Sequence, residues 1–196
     1  EVLEKQAPFV EGAVLSAIVP VANSGFGSAI TQGQNNIPAL IGSPTNGAAG
    51  AVYTWLRDQN NQYIETNILT LGTTGAAGYG NAVKIGTNTW SVAGASASNS
   101  SQGYAAVIYR PAQSNVFDQR QLLVAPDQNF SGGEFGYDVT ISQDERWMYI
   151  GSPGHNTVYA YGRVDIDENQ YVTYVGDGST VSYNFSDSIA VTNGEQ

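Results

Sequence analysis

The feature that most constrains this chain is a short phrase that occurs three times in the same order. Each repeat starts with an aromatic residue and a glycine, passes through a strand-like segment to a second glycine, and ends in a segment rich in valine and aromatic residues. The opening pairs are Phe26–Gly27, Tyr79–Gly80 and Phe135–Gly136, and the second glycines are Gly42, Gly94 and Gly151. Successive repeats begin 53 and 56 residues apart. A fixed period of this length is typical of a repeat architecture, in which no unit buries its apolar face alone.

The composition of each repeat predicts strands and turns. The segments are short, rich in Val, Ile, Tyr and Trp, and bounded by Gly, Pro, Asn or Ser. Three such segments occur in each repeat, and a fourth precedes each aromatic–glycine pair, at residues 8–18, 63–71 and 116–124. No window shows a helical period with caps. We therefore predict an all-β protein, a partial β-propeller of three four-stranded antiparallel blades with a further C-terminal strand or hairpin.

The three phrases resemble the FG-GAP repeat, the blade of the integrin alpha-subunit head and of many bacterial and viral surface propellers. The resemblance covers about residues 8–162. It implies that the motif glycines lie where strands turn tightly and blades pack closely, since a residue without a Cβ admits positive φ and close neighbours. The structural motif positions are Phe26, Gly27, Gly42, Tyr79, Gly80, Gly94, Phe135, Gly136 and Gly151. Propellers close with about four to eight blades, so we expect a protein partner or further blades of a longer parent chain.

The repeats divide the chain into five segments. Residues 1–23 form a lead-in with a closing or preceding-blade strand, 24–77, 78–132 and 133–176 are blades 1, 2 and 3, and 177–196 form a hairpin or the start of a following module. Residues 174–185 combine an aromatic residue, a Gly-Asp-Gly turn and an alternating strand. This phrase resembles the opening of small modules in phage tail and fibre proteins. An ordinary hairpin of the third blade is the alternative.

Composition excludes several classes of protein. The net charge is −10, and the 7 basic residues are scattered, which argues against a nucleic-acid surface. The absence of cysteine excludes disulfides, thiolate metal sites and cysteine catalysis. The longest apolar run, residues 13–22, is interrupted by Ser16 and Pro20 and is too short to cross a bilayer. No signal peptide is visible, and because the sequence begins at Glu1 we expect it to be cut from something longer.

Metal sites are not expected from the repeat loops. The resemblance to integrin-type blades implies calcium-binding loops between first and second strands, here residues 31–36, 84–88 and 142–146. The first two loops contain no carboxylate, and the third places two beside an arginine, so these sites do not carry over. The remaining candidates are Asp165, Asp167 and Asn169, for which a solvated turn is the simpler interpretation. No cofactor is predicted.

Catalytic and ligand-binding signals are weak. His155 is the sole histidine and lies in a turn, and no G-x-S-x-G elbow is present to supply a serine nucleophile. The tryptophans fall on strand positions, which favours a place in the core over a sugar-stacking surface. Tyr104, Tyr171 and Tyr174 lie outside the motif and are the candidates for ligand contacts. We predict no enzyme activity, although a carboxylate pair assembled only by the fold would escape this reasoning.

The predicted function is structural and adhesive. The low share of charged residues, the absence of cysteine and the tail-like phrase after Tyr174 favour a segment of a virion, such as a phage tail or fibre. The alternative is a secreted or cell-surface bacterial propeller that binds a protein or carbohydrate ligand. Both interpretations place the protein on a virion or outside the cell, in a larger assembly, without nucleic acid and without membrane insertion.

Overall fold

The computed structural model describes residues 14–34, 38–126, 131–164 and 173–175, in which β-strands are the main regular structure. The strands are β1 (Ala29–Gln32), β2 (Pro38–Ser43), β3 (Ala51–Arg57), β4 (Tyr63–Leu69), β5 (Val83–Ile85), β6 (Trp90–Ala95), β7 (Tyr104–Tyr109), β8 (Asp118–Leu123), β9 (Val139–Ile141), β10 (Trp147–Ser152), β11 (Thr157–Val164) and β12 (Thr173–Val175). The helical elements are a turn at Ser98–Ser101 and a 3-10 turn at Pro153–His155. Within these ranges, no helix is both long and apolar enough to cross a membrane.

The strands form three antiparallel sheets, each built from strands that are consecutive in the chain. Sheet 1 contains β1–β4 and sheet 2 contains β5–β8, in that order. Sheet 3 contains β9–β11, and the three-residue β12 pairs with the outer edge of β11. The all-β prediction and its antiparallel sheets are confirmed. Residues 14–20, the described part of the predicted lead-in strand, form no strand; the rest of that strand and residues 176–196 lie outside the described ranges.

The registers define equivalent positions in the three sheets. In each sheet, the second motif glycine is paired with a residue of the third strand, and the residue before that glycine is paired with the first strand. The glycine pairs are Gly42↔Val52, Gly94↔Ala105 and Gly151↔Val158. The neighbouring pairs are Ile30↔Ile41, Val83↔Ala93 and Val139↔Ile150. Because side chains alternate along a strand, the two sets lie on opposite faces of each sheet.

The sheets pack face to face, with β1 against β5 and β5 against β9. We call the face turned toward the next sheet in chain order the front face, and the opposite one the back face. Leu40 on the front of sheet 1 packs with Ile85 and Ile108 on the back of sheet 2. Val92 on the front of sheet 2 packs with Met148 and Ile150 of sheet 3. Burying each of these large side chains stabilises the fold by about 1.5–3 kcal/mol.

A third apolar cluster lies on the back face of sheet 1. It contains Ile41, Tyr53 and Trp55, and it is covered by Leu15 and Ala17 of the N-terminal segment. A hydrogen bond from the backbone N–H of Ile18 to the carboxylate of Glu65 joins this segment to sheet 1. The back of sheet 1 is therefore covered by an irregular segment, whereas the backs of sheets 2 and 3 are covered by another sheet.

Candidate functional site

In the second and third repeats, the backbone of the aromatic residue is bonded to the preceding sheet and its ring is buried. Tyr79 and Phe135 are completely buried. The backbone N–H of Tyr79 donates to the carbonyl of Ala49 at 2.8 Å, and that of Phe135 donates to the carbonyl of Gln102 at 2.9 Å. Short parallel bridges join the same two segments, Gly50 to Tyr79 and Gly103 to Phe135. Tyr79 thus joins sheet 2 to sheet 1, and Phe135 joins sheet 3 to sheet 2.

In sheets 1 and 2, the second motif glycine contacts the glycine of the aromatic–glycine pair that opens the next sheet. A Cβ on Gly42 would lie 1.9 Å from the carbonyl oxygen of Gly80, and a Cβ on Gly94 would lie 1.9 Å from that of Gly136. Real Cβ atoms do not approach a backbone oxygen this closely, so both positions require glycine. Gly80 and Gly136 have φ values of +91° and +87°, a region in which glycine is strongly favoured.

Among the described residues, the equivalent position in sheet 3 has no such neighbour. The atoms nearest to a Cβ on Gly151 would be those of Asp138, of which the carbonyl oxygen is closest at the ordinary distance of 3.4 Å. Its strand partner Val158 is 54% exposed, whereas Val52 and Ala105 at the equivalent positions are completely buried. A groove of about 550 Å³ lies here. It is lined by Tyr137, Asp138, Tyr149, Gly151, Ser152, Pro153, Asn156, Thr157 and Val158, and we call it the front groove.

The opposite end of the stack presents the complementary part. Phe26 packs edge-on against Tyr53 with ring centroids 5.0 Å apart, but it is only partly buried. Gly27 keeps the motif conformation, with φ +92°, and a Cβ on it would meet nothing within 4 Å. Ile30 is 68% exposed, whereas Val83 at the equivalent position of sheet 2 is 9% exposed. We call this edge, formed by Phe26, Gly27 and Ile30, the back edge.

A buried carboxylate ties sheet 3 to sheet 2. Oε1 of Glu145, in the β9–β10 turn, accepts hydrogen bonds from four successive backbone N–H groups in the β5–β6 turn. The donors and distances are Thr87 (2.7 Å), Asn88 (3.0 Å), Thr89 (3.1 Å) and Trp90 (3.3 Å). Such convergent N–H groups form an anion-binding concavity. The loop at residues 142–146, which corresponds to an integrin-type calcium loop, therefore uses this carboxylate to bind another hairpin.

The same turns are linked on both sides of sheet 2. The hydroxyl of Thr87 donates to the carbonyl of Gln143 at 2.6 Å, and the backbone N–H of Gln34 donates to the carbonyl of Thr87 at 2.9 Å. Arg110 is buried beneath these turns, where its guanidinium donates to the carbonyls of Asn88 and Ser114. Burial lowers the pKa of Arg110, an effect partly offset by the negative charge of Glu145. All three first hairpins are thus connected at one edge of the stack.

His155 takes part in a structural cluster at the turn before β11. Its Nδ1 lies 3.0 Å from Oγ of Ser152 and 3.1 Å from the hydroxyl of Tyr159. The hydroxyl of Ser152 is buried and donates to the carbonyl of Gly133 at 2.6 Å. Because that proton is engaged by a backbone carbonyl, Ser152 is not arranged as a nucleophile activated by the histidine.

Two of the predicted ligand-binding residues, Tyr104 and Tyr174, lie in strands of different sheets. Tyr104 is partly buried and packs on the core between sheets 1 and 2. Tyr174 lies in β12, and Tyr171 falls outside the described residues, as do the predicted cation ligands Asp165, Asp167 and Asn169. Among the described residues, no group of three or more His, Asp or Glu side chains could hold a metal ion. Sequence reasoning missed the front groove, because Gly151 and Val158 carry the same motif as their buried equivalents.

No protein-family model matches this chain, and no curated protein is significantly similar to it.

Proposed function

We propose that the three sheets are three consecutive blades of an FG-GAP-like propeller, and that the chain is a structural and adhesive segment of a surface protein. The observation that carries this proposal is the contact of Gly42 with Gly80, which recurs between Gly94 and Gly136. A contact repeated at equivalent positions supports one constant relation between each sheet and the next. Repetition of one unit with one rotation is what generates a propeller.

The interlocked stack suits a rigid scaffold that presents loops. Backbone meets backbone at the glycine contacts, and hydrogen bonds of Glu145 and Thr87 fix the first hairpins to one another. Rigid scaffolds of this kind place binding residues on their connecting loops. The low share of charged residues and the absence of cysteine in the whole sequence further support a place in a virion, such as a phage tail or fibre. The tail-like phrase after Tyr174 supports the same assignment.

A second candidate function is carbohydrate or protein binding by a secreted or cell-surface propeller. The front groove favours it, because Tyr137 is 58% exposed beside Asp138 and Tyr149. Aromatic faces next to a carboxylate offer stacking and hydrogen-bond acceptance to a sugar. On this alternative, the groove is a ligand site rather than a contact with another sheet.

Fractionation distinguishes these functions. Particles purified on a density gradient from the source organism are probed with antibodies against the recombinant chain. A virion part is expected to sediment with particles in a fixed ratio to their major protein, and to bind no sugar on a glycan array. Sugar binding that disappears in Tyr137→Ala but survives in Tyr63→Ala would instead establish the second function. Release of product from a panel of polysaccharides would overturn both.

A further inference from the structure

We propose that the front groove of one copy of this chain receives the back edge of a second copy, so that two copies join head to tail. This inference rests on the propeller arrangement proposed above and adds the partner that completes it. The front groove centres on Gly151, and the back edge carries Phe26 and Gly27. Each is one half of a contact that the chain already makes twice internally.

The front groove retains a glycine that the described part of its own chain does not require. Gly42 and Gly94 are in contact with a backbone oxygen of the next sheet, whereas Gly151 has only ordinary contact with its surroundings. A Cβ would therefore fit at Gly151 beside the described residues of the same chain. The neighbouring Val158 is an apolar side chain left 54% exposed at a position that is buried in the other two sheets. Both residues suit an interface with a further aromatic–glycine turn.

The back edge retains the shape of the segment that fills such a groove. Gly27 has φ +92°, compared with +91° for Gly80 and +87° for Gly136. Phe26 packs on its own sheet at Tyr53, as Phe135 packs at the equivalent Tyr159 with ring centroids 5.4 Å apart. The two internal segments are buried by a preceding sheet. The N-terminal segment covers Tyr53 and Trp55 but leaves Gly27 and Ile30 exposed.

A head-to-tail contact of this kind is heterologous, so it either closes into a ring or grows into a filament. The described parts of two copies supply six sheets, a number within the about four to eight blades with which propellers close. Closure would bury both apolar ends of each copy and leave neither exposed. We therefore expect a closed dimer rather than an open chain.

One position makes the contact between copies weaker than the internal ones. In each sheet, the last residue of the second strand pairs with a residue of the third strand. The residue just before that partner is Gly50 in sheet 1, Gly103 in sheet 2 and Asn156 in sheet 3. At Gly50 and Gly103 a Cβ would lie within 2.5 Å of the incoming aromatic residue's backbone. Gly50 and Gly103 each form a parallel bridge with the incoming aromatic residue. The same bridge cannot form at Asn156 unless the backbone shifts. The net charge of −10 per copy also opposes association, so association is expected to strengthen as salt screens this repulsion.

The first test measures mass. Sedimentation equilibrium of the full chain over rising concentration and salt is expected to show a species of twice the 20.7 kDa chain mass. Gly151→Val should weaken association roughly ten- to hundred-fold, because its side chain occupies the groove. Gly72→Val makes the same change where a Cβ would meet nothing within 4 Å, and it should leave association unchanged. Far-ultraviolet circular dichroism should be the same for all three proteins. A chain that stays monomeric up to about 1 mM, or a dimer indifferent to Gly151→Val, would overturn the proposal.

The second test identifies the surfaces in contact. Inside the chain, the side chain of Asn81 donates to the carbonyls of Gly136 and Tyr137. Asn81 follows Gly80 and Tyr137 follows Gly136, so the residues that follow these two glycines are in contact. The corresponding pair between copies is Tyr137 and Ser28, both exposed. The chain has no cysteine, so Ser28→Cys with Tyr137→Cys introduces one defined pair.

Oxidation of this double variant is expected to give a covalent dimer on a non-reducing gel. The matched pair Asn60→Cys with Tyr137→Cys places the first thiol in the β3–β4 turn and should give no dimer above the background of random collision. Equal yields from the two pairs would contradict the proposed surfaces. A monomeric chain that still sediments with particles would refute this inference alone, whereas a dimer that never associates with particles would refute the proposed function alone.

Discussion

The carbonyl oxygen of Gly80 occupies the place that a Cβ on Gly42 would need, 1.9 Å from its ideal position. Gly136 stands in the same relation to Gly94. The spacing of consecutive sheets is therefore set by direct contact between two backbones. A repeat glycine that looks like a turn residue in the sequence is here a requirement of packing between sheets.

The three equivalent glycines should respond differently to the same substitution. Gly42→Ala and Gly94→Ala are each expected to lower the free energy of unfolding by about 1–3 kcal/mol, because the methyl group forces the neighbouring sheet to move. Gly151→Ala should change it by less than about 0.5 kcal/mol, as at an open surface position. Urea denaturation of the isolated monomer measures all three. A large loss for Gly151→Ala would show that the chain itself requires glycine there.

Tyr79→Phe is expected to stabilise the protein. The ring of Tyr79 is completely buried, and its hydroxyl has no hydrogen-bond partner among the described residues. Burial raises the pKa of this phenol. Removing a buried, unpaired hydroxyl should raise the free energy of unfolding by about 1 kcal/mol. The equivalent positions in the other repeats, Phe26 and Phe135, already lack it.

Tyr53→Phe provides the control for this change. The hydroxyl of Tyr53 accepts a hydrogen bond from the side chain of Asn46 at 2.7 Å, so its removal should cost about 1 kcal/mol. The two substitutions delete the same atom and are predicted to shift the thermal midpoint in opposite directions. Destabilisation by both would mean that the hydroxyl of Tyr79 is solvated inside the interface.

Glu145→Gln is expected to loosen sheet 3 from sheet 2. Four backbone N–H groups converge on one oxygen of this buried carboxylate. Charge-assisted hydrogen bonds are about twice as strong as neutral ones, so the neutral amide should cost about 2 kcal/mol. Hydrogen exchange should show the amide of Thr87 losing protection, together with those of its neighbours.

Glu134→Gln is the matched variant for that experiment. Glu134 lies in the entry to sheet 3 and is partly exposed, so its neutralisation removes the same charge without disturbing the β5–β6 turn. Its expected effect is below about 0.5 kcal/mol. Equal protection of Thr87 in both variants would show that Glu145 does not hold the two hairpins together.

The strand pattern was largely predictable because strand periodicity and turn residues are local signals. The segments predicted at residues 63–71 and 116–124 correspond to β4 (Tyr63–Leu69) and β8 (Asp118–Leu123). Strand β8 starts later because Phe117 is buried under Arg110, before the pairing with β7 begins.

The contacts between sheets were not predictable from the repeat alone. Glu145 is 55 residues or more from each of its donors, and no local pattern marks a carboxylate that binds a distant turn. Gly42, Gly94 and Gly151 are also alike in sequence context. Among the described residues, however, a Cβ would lie within 3 Å of a backbone atom only at the first two. The difference arises from the position of each sheet in the stack, which the phrase repeated three times does not encode.

Asp144, the neighbour of Glu145, should titrate below the usual range of an aspartate. The hydroxyl of Ser142 and the backbone N–H of Arg146 both donate to its carboxylate, and these bonds lower its pKa from the ordinary 3.8. A carboxyl whose pKa is lower when folded stabilises the protein above its unfolded pKa, and this contribution is lost as pH falls through the folded value. Ser142→Ala removes the larger cause, so it should raise the pKa of Asp144 toward 3.8, as measured by carbon-13 NMR titration of the carboxyl group. Thr140→Ala, in the exposed part of the same hairpin, should leave it unchanged, and an unaltered pKa in Ser142→Ala would mean that the backbone bonds alone hold the charge.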